Sequence, residues 1–157
     1  MSFISPSLGS LSLEEMVRNI SSFINEEPKE KYKVVIGTDS HTDQTSTLFV
    51  TALIIHRLGK GARFYYQKRN MKKMTDLRHR IYLETQLSLQ LIDSLKACGL
   101  FFLLSDWPLE VHIDIGKQGE TRQLIQEVVG WVTSVGYVAK IKPESYGASS
   151  VADKFTS

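Results

Sequence analysis

Apolar residues recur every three to four positions in several stretches of the chain, a spacing that is typical of amphipathic helices. The first stretch begins with Ser12 and Glu15, which match the capping-box pattern. The last long stretch is followed by Gly136, and glycine often ends a helix. The spacing predicts long helices at residues 12–25, 75–96 and 119–134, and a short one at 149–155.

Between the helices, short runs rich in valine, isoleucine and threonine indicate β-strands at 33–39, 47–58, 62–68, 110–115 and 137–141. Gly59 and Gly61 predict a hairpin turn between the second run and the third. After one N-terminal helix the order is β-β-β-α-β-α-β-α, which predicts a mixed five-stranded sheet flanked by helices. We therefore expect an α/β protein with a single domain over 1–157, in which an accessory helix (12–25) precedes the core (33–157).

Composition excludes some classes of protein and leaves others open. The formal net charge of +2 is too small to indicate a nucleic-acid binder, so any such argument depends on where the charges lie. Cys98 is the one cysteine, which excludes an intramolecular disulfide and is expected to be a buried bystander. No apolar run approaches the roughly 20 residues that span a bilayer, and the first residues lack the basic region of a signal peptide. We expect a cytoplasmic protein without a membrane partner.

Glu84 contradicts the pattern around it. On a helical projection it lies in the middle of the apolar face that Leu77, Ile81 and Leu91 define. Burying an unpaired ion costs several kcal/mol even after relaxation. Glu84 therefore either has a functional role or lies near the sheet edge and reaches water.

Two aspartates accompany strands. Asp39 follows an apolar strand, where ligand sites of α/β sheets gather, although it would equally suit a turn. Asp114 lies on the strand face opposite Val111 and Ile113, with a capping role as the alternative. If the helix that carries Glu84 crosses back over the sheet, the three carboxylates converge and repel by about 4 kcal/mol per pair at an effective dielectric of 20. Such an all-oxygen cluster suits Mg²⁺ or Mn²⁺.

Basic residues gather before and at the start of the Glu84 helix. They either contact phosphates beside the metal or belong to a solvated loop, and the candidates for nucleic-acid binding are Lys68, Arg69, Lys72, Lys73, Arg78 and, less strongly, Lys142. His41 and His112 flank the aspartates and are candidate proton shuttles, although a structural role is the alternative for both.

Four segments together resemble the bacterial YkuK family, which is described as ribonuclease H-related nucleases: Ile36–Ser40, Leu77–Arg78 with Glu84–Thr85, His112–Gly116 and Val151–Lys154. The similarity extends from about Ser12 to the end of the chain. It implies a ribonuclease H-like fold in which the catalytic and metal-binding set is Asp39, Glu84, Asp114 and Asp153. Asp153 enters through the resemblance alone.

The resemblance implies a two-metal nuclease that hydrolyses phosphodiester bonds in RNA, an RNA/DNA hybrid or structured DNA, with Asp39 bridging the ions. The alternative is a ribonuclease H-like module that binds nucleic acid or a protein without cutting it. A third hypothesis, a nucleotide-hydrolysing domain related to actin and sugar kinases, is disfavoured because the chain has neither a duplicated half nor a glycine-rich loop after Asp39.

Overall fold

A computed structural model describes residues 2–100, 105–116, 122–142 and 144–145. Its helices are α1 (Leu13–Glu26), α2 (Leu77–Ala97) and α3 (Arg122–Ser134). Its strands are β1 (Ser2–Ser5), β2 (Gly9–Ser12), β3 (Tyr32–Thr42), β4 (Ser46–Arg57), β5 (Ala62–Lys72), β6 (Leu109–His112) and β7 (Val138–Lys140). The predicted helix at 149–155 lies outside the described residues. Within the described ranges, no helix is long and apolar enough to cross a bilayer.

The strands form one mixed sheet in the order β2-β1-β5-β4-β3-β6-β7. β3, β4 and β5 form an antiparallel meander, and β6 and β7 add to the β3 edge in parallel. The five predicted strands are therefore all present and contiguous, and the α/β class is confirmed. The strand count of five is too low, because β1 and β2 extend the sheet beyond β5.

The N-terminal hairpin is the element that the sequence pattern missed. β1 pairs with β2 over four residues and with β5 at Ile4 and Tyr66. Strands this short carry too few alternating positions to stand out, and the turn signal is a single glycine, Gly9, with a φ of 78°. Phe3 nevertheless lies in the main core and is fully buried.

Strand ends also differ from the prediction where polar residues continue a ladder. β3 extends to Thr42 and β5 extends to Lys72, so the segment from residue 69 to 72 is strand and not loop. β6 stops earlier than predicted, at His112, because the backbone turns where the N–H of Ile115 donates to the carbonyl of Ile113 (2.9 Å). Asp114 therefore lies just beyond a strand end.

The three helices supply apolar side chains to one core on one face of the sheet. Strand residues such as Val34 and Ile36 meet this core, together with Met16 and Ile20 of α1, Ile92 of α2 and Val128 of α3. The other face has a smaller apolar cluster that contains strand residues only, namely Val35, Val50, Ala52, Ile54 and Tyr66. Successive strand residues alternate between these two faces.

Hydrogen bonds stabilise both ends of α1. Ser12 and Glu15 form the predicted capping box, with the Glu15 N–H donating to Ser12 Oγ at 3.1 Å and the Ser12 N–H donating to Glu15 Oε1 at 3.0 Å. At the other end, Arg57 of β4 donates to the carbonyl of Phe23 (2.5 Å) and to the hydroxyl of Tyr32 (3.2 Å). These bonds attach the accessory helix to the sheet.

Candidate functional site

Glu84 lies in the middle of α2 and faces β3. The helix packs on this strand through the Ser88 hydroxyl, which is 2.8 Å from the hydroxyl of Thr38. Glu84 lies one helical turn before Ser88, and only 6% of its surface is exposed. The alternative in which Glu84 reaches solvent from the sheet edge is therefore wrong.

Among the described residues, Ser40 is the hydrogen-bond partner of the Glu84 carboxyl group. Ser40 Oγ donates a hydrogen bond to Glu84 Oε2. Arg80, one turn earlier in α2, donates to Ser40 Oγ from Nε (3.1 Å) and from Nη2 (3.0 Å), and to the Ser40 carbonyl from Nη2 (2.9 Å). Burial raises the pKa of Glu84 to about 8, to which the charges of Asp39 and Asp114 contribute, while the Ser40 hydrogen bond and Arg80 oppose the rise.

Asp39 approaches from the other side of the strand. It pairs across the ladder with Val50, which belongs to the second apolar cluster, whereas its neighbour Ser40 faces α2. Residues directly opposite in a ladder share a face, so the side chains of Asp39 and Glu84 start on opposite faces of β3. They are nevertheless close enough for the charge of Asp39 to affect the pKa of Glu84.

Asp114 is positioned by the pairing of the last two described strand segments. Backbone hydrogen bonds still join the two segments beyond the ends of β6 and β7, with the N–H of Lys142 donating to the carbonyl of Ile115 at 3.0 Å. Lys142 Nζ thereby reaches Asp114 Oδ1 at 2.9 Å. This ion pair raises the pKa of Lys142, and the charge of Asp39 raises it further. An ammonium group thus lies in the combined field of two carboxylates.

The carboxylates are neighbours but do not form a closed cage. Within the part of the chain that the structure describes, no group of three or more His, Cys, Asp and Glu side chains is arranged to hold one metal ion. The narrow space beside Glu84 is lined by Thr38, Thr85, Ser88, His112 and Ile113, and neither aspartate borders it. Asp153, the fourth predicted ligand, lies outside the described residues.

The basic candidates separate into exposed and paired groups. Lys68, Arg69, Lys72 and Lys73 are exposed. Lys68 pairs across the ladder with Val50, which also pairs with Asp39, so Lys68 shares the face of Asp39, and strand alternation places Lys72 there too.

The segment after β5 is held in place and is not a loose loop. The hydroxyl of Thr47 accepts from the N–H of Met74 at 2.7 Å, and the hydroxyl of Thr42 donates to the Met74 carbonyl at 2.8 Å. Arg78 forms an ion pair with Glu127 of α3. Arg78 is thus engaged between two helices, and binding a phosphate would cost this ion pair.

The two histidines have different surroundings. His112 has a buried ring whose Nε2 is 2.9 Å from Glu110 Oε1, and Lys33 Nζ is 3.2 Å from Glu110 Oε2. Burial lowers the pKa of His112 despite the opposing effect of Glu110. His41 is exposed near the end of β3. Of the two predicted shuttle candidates, His41 is therefore open to solvent and His112 is not.

The sequence pattern singled out neither Ser40 nor Arg80 as a site residue. Both adjoin acidic candidates, Ser40 next to Asp39 and Arg80 one helical turn before Glu84. That adjacency was the available signal. It could not reveal that the two residues meet each other.

Comparison with known proteins agrees with this architecture. A family model described as ribonuclease H-like matches residues 15–157. YkuK of Bacillus subtilis (strain 168), described as an uncharacterized protein, is 37% identical over 165 aligned positions that cover 98% of this chain and 96% of YkuK. No solved structure matches the chain. The match over nearly the whole chain confirms the resemblance seen in the motifs. The chain therefore belongs to the ribonuclease H-like family and, within it, to the group that includes YkuK.

Proposed function

We propose that this protein is a nuclease that requires Mg²⁺ or Mn²⁺ and hydrolyses phosphodiester bonds in RNA, an RNA/DNA hybrid or structured DNA. The observation that carries the proposal is the proximity of three carboxyl groups beside β3. Asp39 and Asp114 both raise the pKa of the buried Glu84, and both raise the pKa of Lys142. A scaffold of the ribonuclease H-like family supports the same conclusion.

The chemistry of the donor set fits a hard divalent cation. Asp39, Glu84 and Asp114 offer only oxygen atoms, which Mg²⁺ and Mn²⁺ prefer. One cation, the Lys142 ammonium, already lies beside Asp114. We propose that these three residues and Asp153 hold the metal, which would supply Lewis-acid stabilisation of the phosphoryl group and an activated water.

The remaining residues bind and orient the substrate. Lys68 and Lys72 are exposed on the face of Asp39 and would contact phosphates of the nucleic-acid backbone. Lys142, whose Nζ lies 2.9 Å from Asp114 Oδ1, would also contact a phosphate oxygen. His41, exposed two residues after Asp39, is placed to exchange a proton with solvent.

A direct test assays the purified chain with Mg²⁺ and with Mn²⁺ against single-stranded, duplex, hybrid and branched substrates. Asp39→Asn and Asp114→Asn should abolish cleavage and leave binding intact or tighter, because negative charge has left a surface that faces phosphates. Asp93→Asn is the matched control, since Asp93 is an exposed aspartate of α2 nine residues beyond Glu84.

A different result would favour the alternative, a module that binds nucleic acid without cutting it. In that case the wild-type protein binds nucleic acid, cuts no substrate with either metal, and is indistinguishable from Asp39→Asn in both assays.

A further inference from the structure

Ser40 is the β3 residue that hydrogen-bonds to Glu84, and its hydroxyl has an unusually complete set of partners. A hydroxyl has one proton to donate and two lone pairs that accept. Arg80 supplies two donors to Ser40 Oγ, from Nε at 3.1 Å and from Nη2 at 3.0 Å. With both lone pairs occupied, the Ser40 proton has Glu84 Oε2 as its acceptor.

The third bond from Arg80 fixes the backbone at the same point. Arg80 Nη2 also donates to the Ser40 carbonyl at 2.9 Å, so the guanidinium holds the main chain and the side chain of one residue together. Ser40 is buried and Arg80 is half-buried. The planar guanidinium, with its donors in a rigid fork, suits such a double contact in a way that a lysine ammonium does not.

From this geometry we infer that Ser40 and Arg80 are positioning residues for metal binding. Arg80 locks the Ser40 hydroxyl as a donor to Glu84, and Ser40 thereby commits Oε2 of that carboxylate and leaves Oε1 as its metal ligand. The inference rests on the proposed function, because it assigns these residues to the same metal site. Neighbours that orient a metal-binding carboxylate typically affect metal affinity by 10- to 100-fold.

The chain provides a matched control for the test. Ser88 is also buried, also joins α2 to β3 through one hydroxyl, and lies one turn from Glu84, but its partner is Thr38 at 2.8 Å. Ser88→Ala and Ser40→Ala remove the same group from the same interface. Any loss that reflects weaker helix-to-strand packing should therefore appear in both variants.

The measurement is the affinity of the full-length protein for Mn²⁺ alone, by isothermal titration calorimetry or by electron paramagnetic resonance of unbound Mn²⁺. Ser40→Ala should raise the Kd by about tenfold or more, and Ser88→Ala should leave it unchanged. Ser40→Thr should keep the wild-type Kd because the hydroxyl remains. Arg80→Gln should raise the Kd less than Ser40→Ala does, and it keeps the inference testable if Ser40→Ala fails to fold.

Two results would overturn the inference and can be told apart. If the wild-type protein binds Mn²⁺ and Ser40→Ala binds it equally well, or no worse than Ser88→Ala, then Ser40 has only a structural role and the proposed nuclease function still stands. If the wild-type protein binds no Mn²⁺, with or without nucleic acid, the proposed function and this inference both fail.

Discussion

Replacing Glu84 with glutamine should change how the stability of the protein depends on pH. Glutamine has nearly the same shape, and its carbonyl oxygen can still accept the hydrogen bond from Ser40. The substitution removes only the ability of a buried group to ionise. A comparison of the two proteins therefore isolates the cost of the Glu84 charge in the absence of metal.

The size of the effect follows from the raised pKa. Burial, together with Asp39 and Asp114, raises the pKa of Glu84 from 4.5 to about 8 in the folded protein. At ~1.4 kcal/mol per pKa unit, this difference corresponds to roughly 5 kcal/mol. The folded state binds more protons than the unfolded state between these two values, so wild-type stability falls as pH rises through that window. Between pH 5 and pH 7 the fall attributable to Glu84 is roughly 2–3 kcal/mol.

The assay is urea unfolding at several pH values between 4.5 and 9, without divalent metal. The difference in the free energy of unfolding between Glu84→Gln and wild type should grow steadily up to about pH 8 and then level off. Saturating Mg²⁺ should reduce the difference, since the metal stabilises the ionised carboxylate in the wild type by mass action.

Glu127→Gln serves as a control that should show no pH-dependent difference in this window. The hydrogen bonds from Tyr82 and Arg78 lower the pKa of Glu127, so its contribution to stability is lost only as the pH falls below 4.5, and the difference from wild type should stay constant across the assayed range. Parallel stability curves for Glu84→Gln and wild type from pH 5 to pH 8 would refute the reasoning. They would mean that the pKa of Glu84 is close to its ordinary value in the metal-free protein, because water or a nearby cation stabilises its charge.

Two further predictions concern binding and stability. Changing Lys68 and Lys72 together to alanine should weaken nucleic-acid binding for all sequences alike and reduce the salt dependence of binding by about one unit per lost phosphate contact. Arg78→Gln should change the binding less because Arg78 pairs with Glu127. Equal effects in a salt titration would contradict the assignment of Lys68 and Lys72 to phosphate binding. Phe3→Ala should lower the free energy of unfolding in urea by about 3–5 kcal/mol because Phe3 is fully buried. Leu8→Ala, in the exposed turn of the same hairpin, should change it by no more than about 0.5 kcal/mol. A small loss for Phe3→Ala would mean that the hairpin is not part of the core.

Local pattern alone sufficed for most of the fold. The spacing of apolar residues identified α1, α2 and the strands β3 to β7, and the capping box located the start of α1. These features are local because the helical and strand periods repeat within a few residues. The same logic drew attention to Glu84, since a carboxylate in the middle of an apolar stripe contradicts the pattern that surrounds it.

The partners of the candidate residues depended on the tertiary structure. Ser40 and Glu84 are 44 positions apart, and Arg78 and Glu127 are 49 apart. Which side chains meet across such separations depends on the rotation of α2 over the sheet and on the register of β3. Neither quantity is encoded in the spacing of any single segment.

The arrangement of the aspartates shows the same division. The sequence placed Asp39 at the end of one strand and Asp114 within another, and in the structure the charges of both raise the pKa of Glu84. Only the ladder register revealed that Asp39 leaves β3 on the face opposite Glu84, because that face is defined by pairing with Val50. Residue types and local periods thus determined the elements and the candidate carboxylates. The packing of distant elements decided which side chains contact those carboxylates and how far each one is exposed.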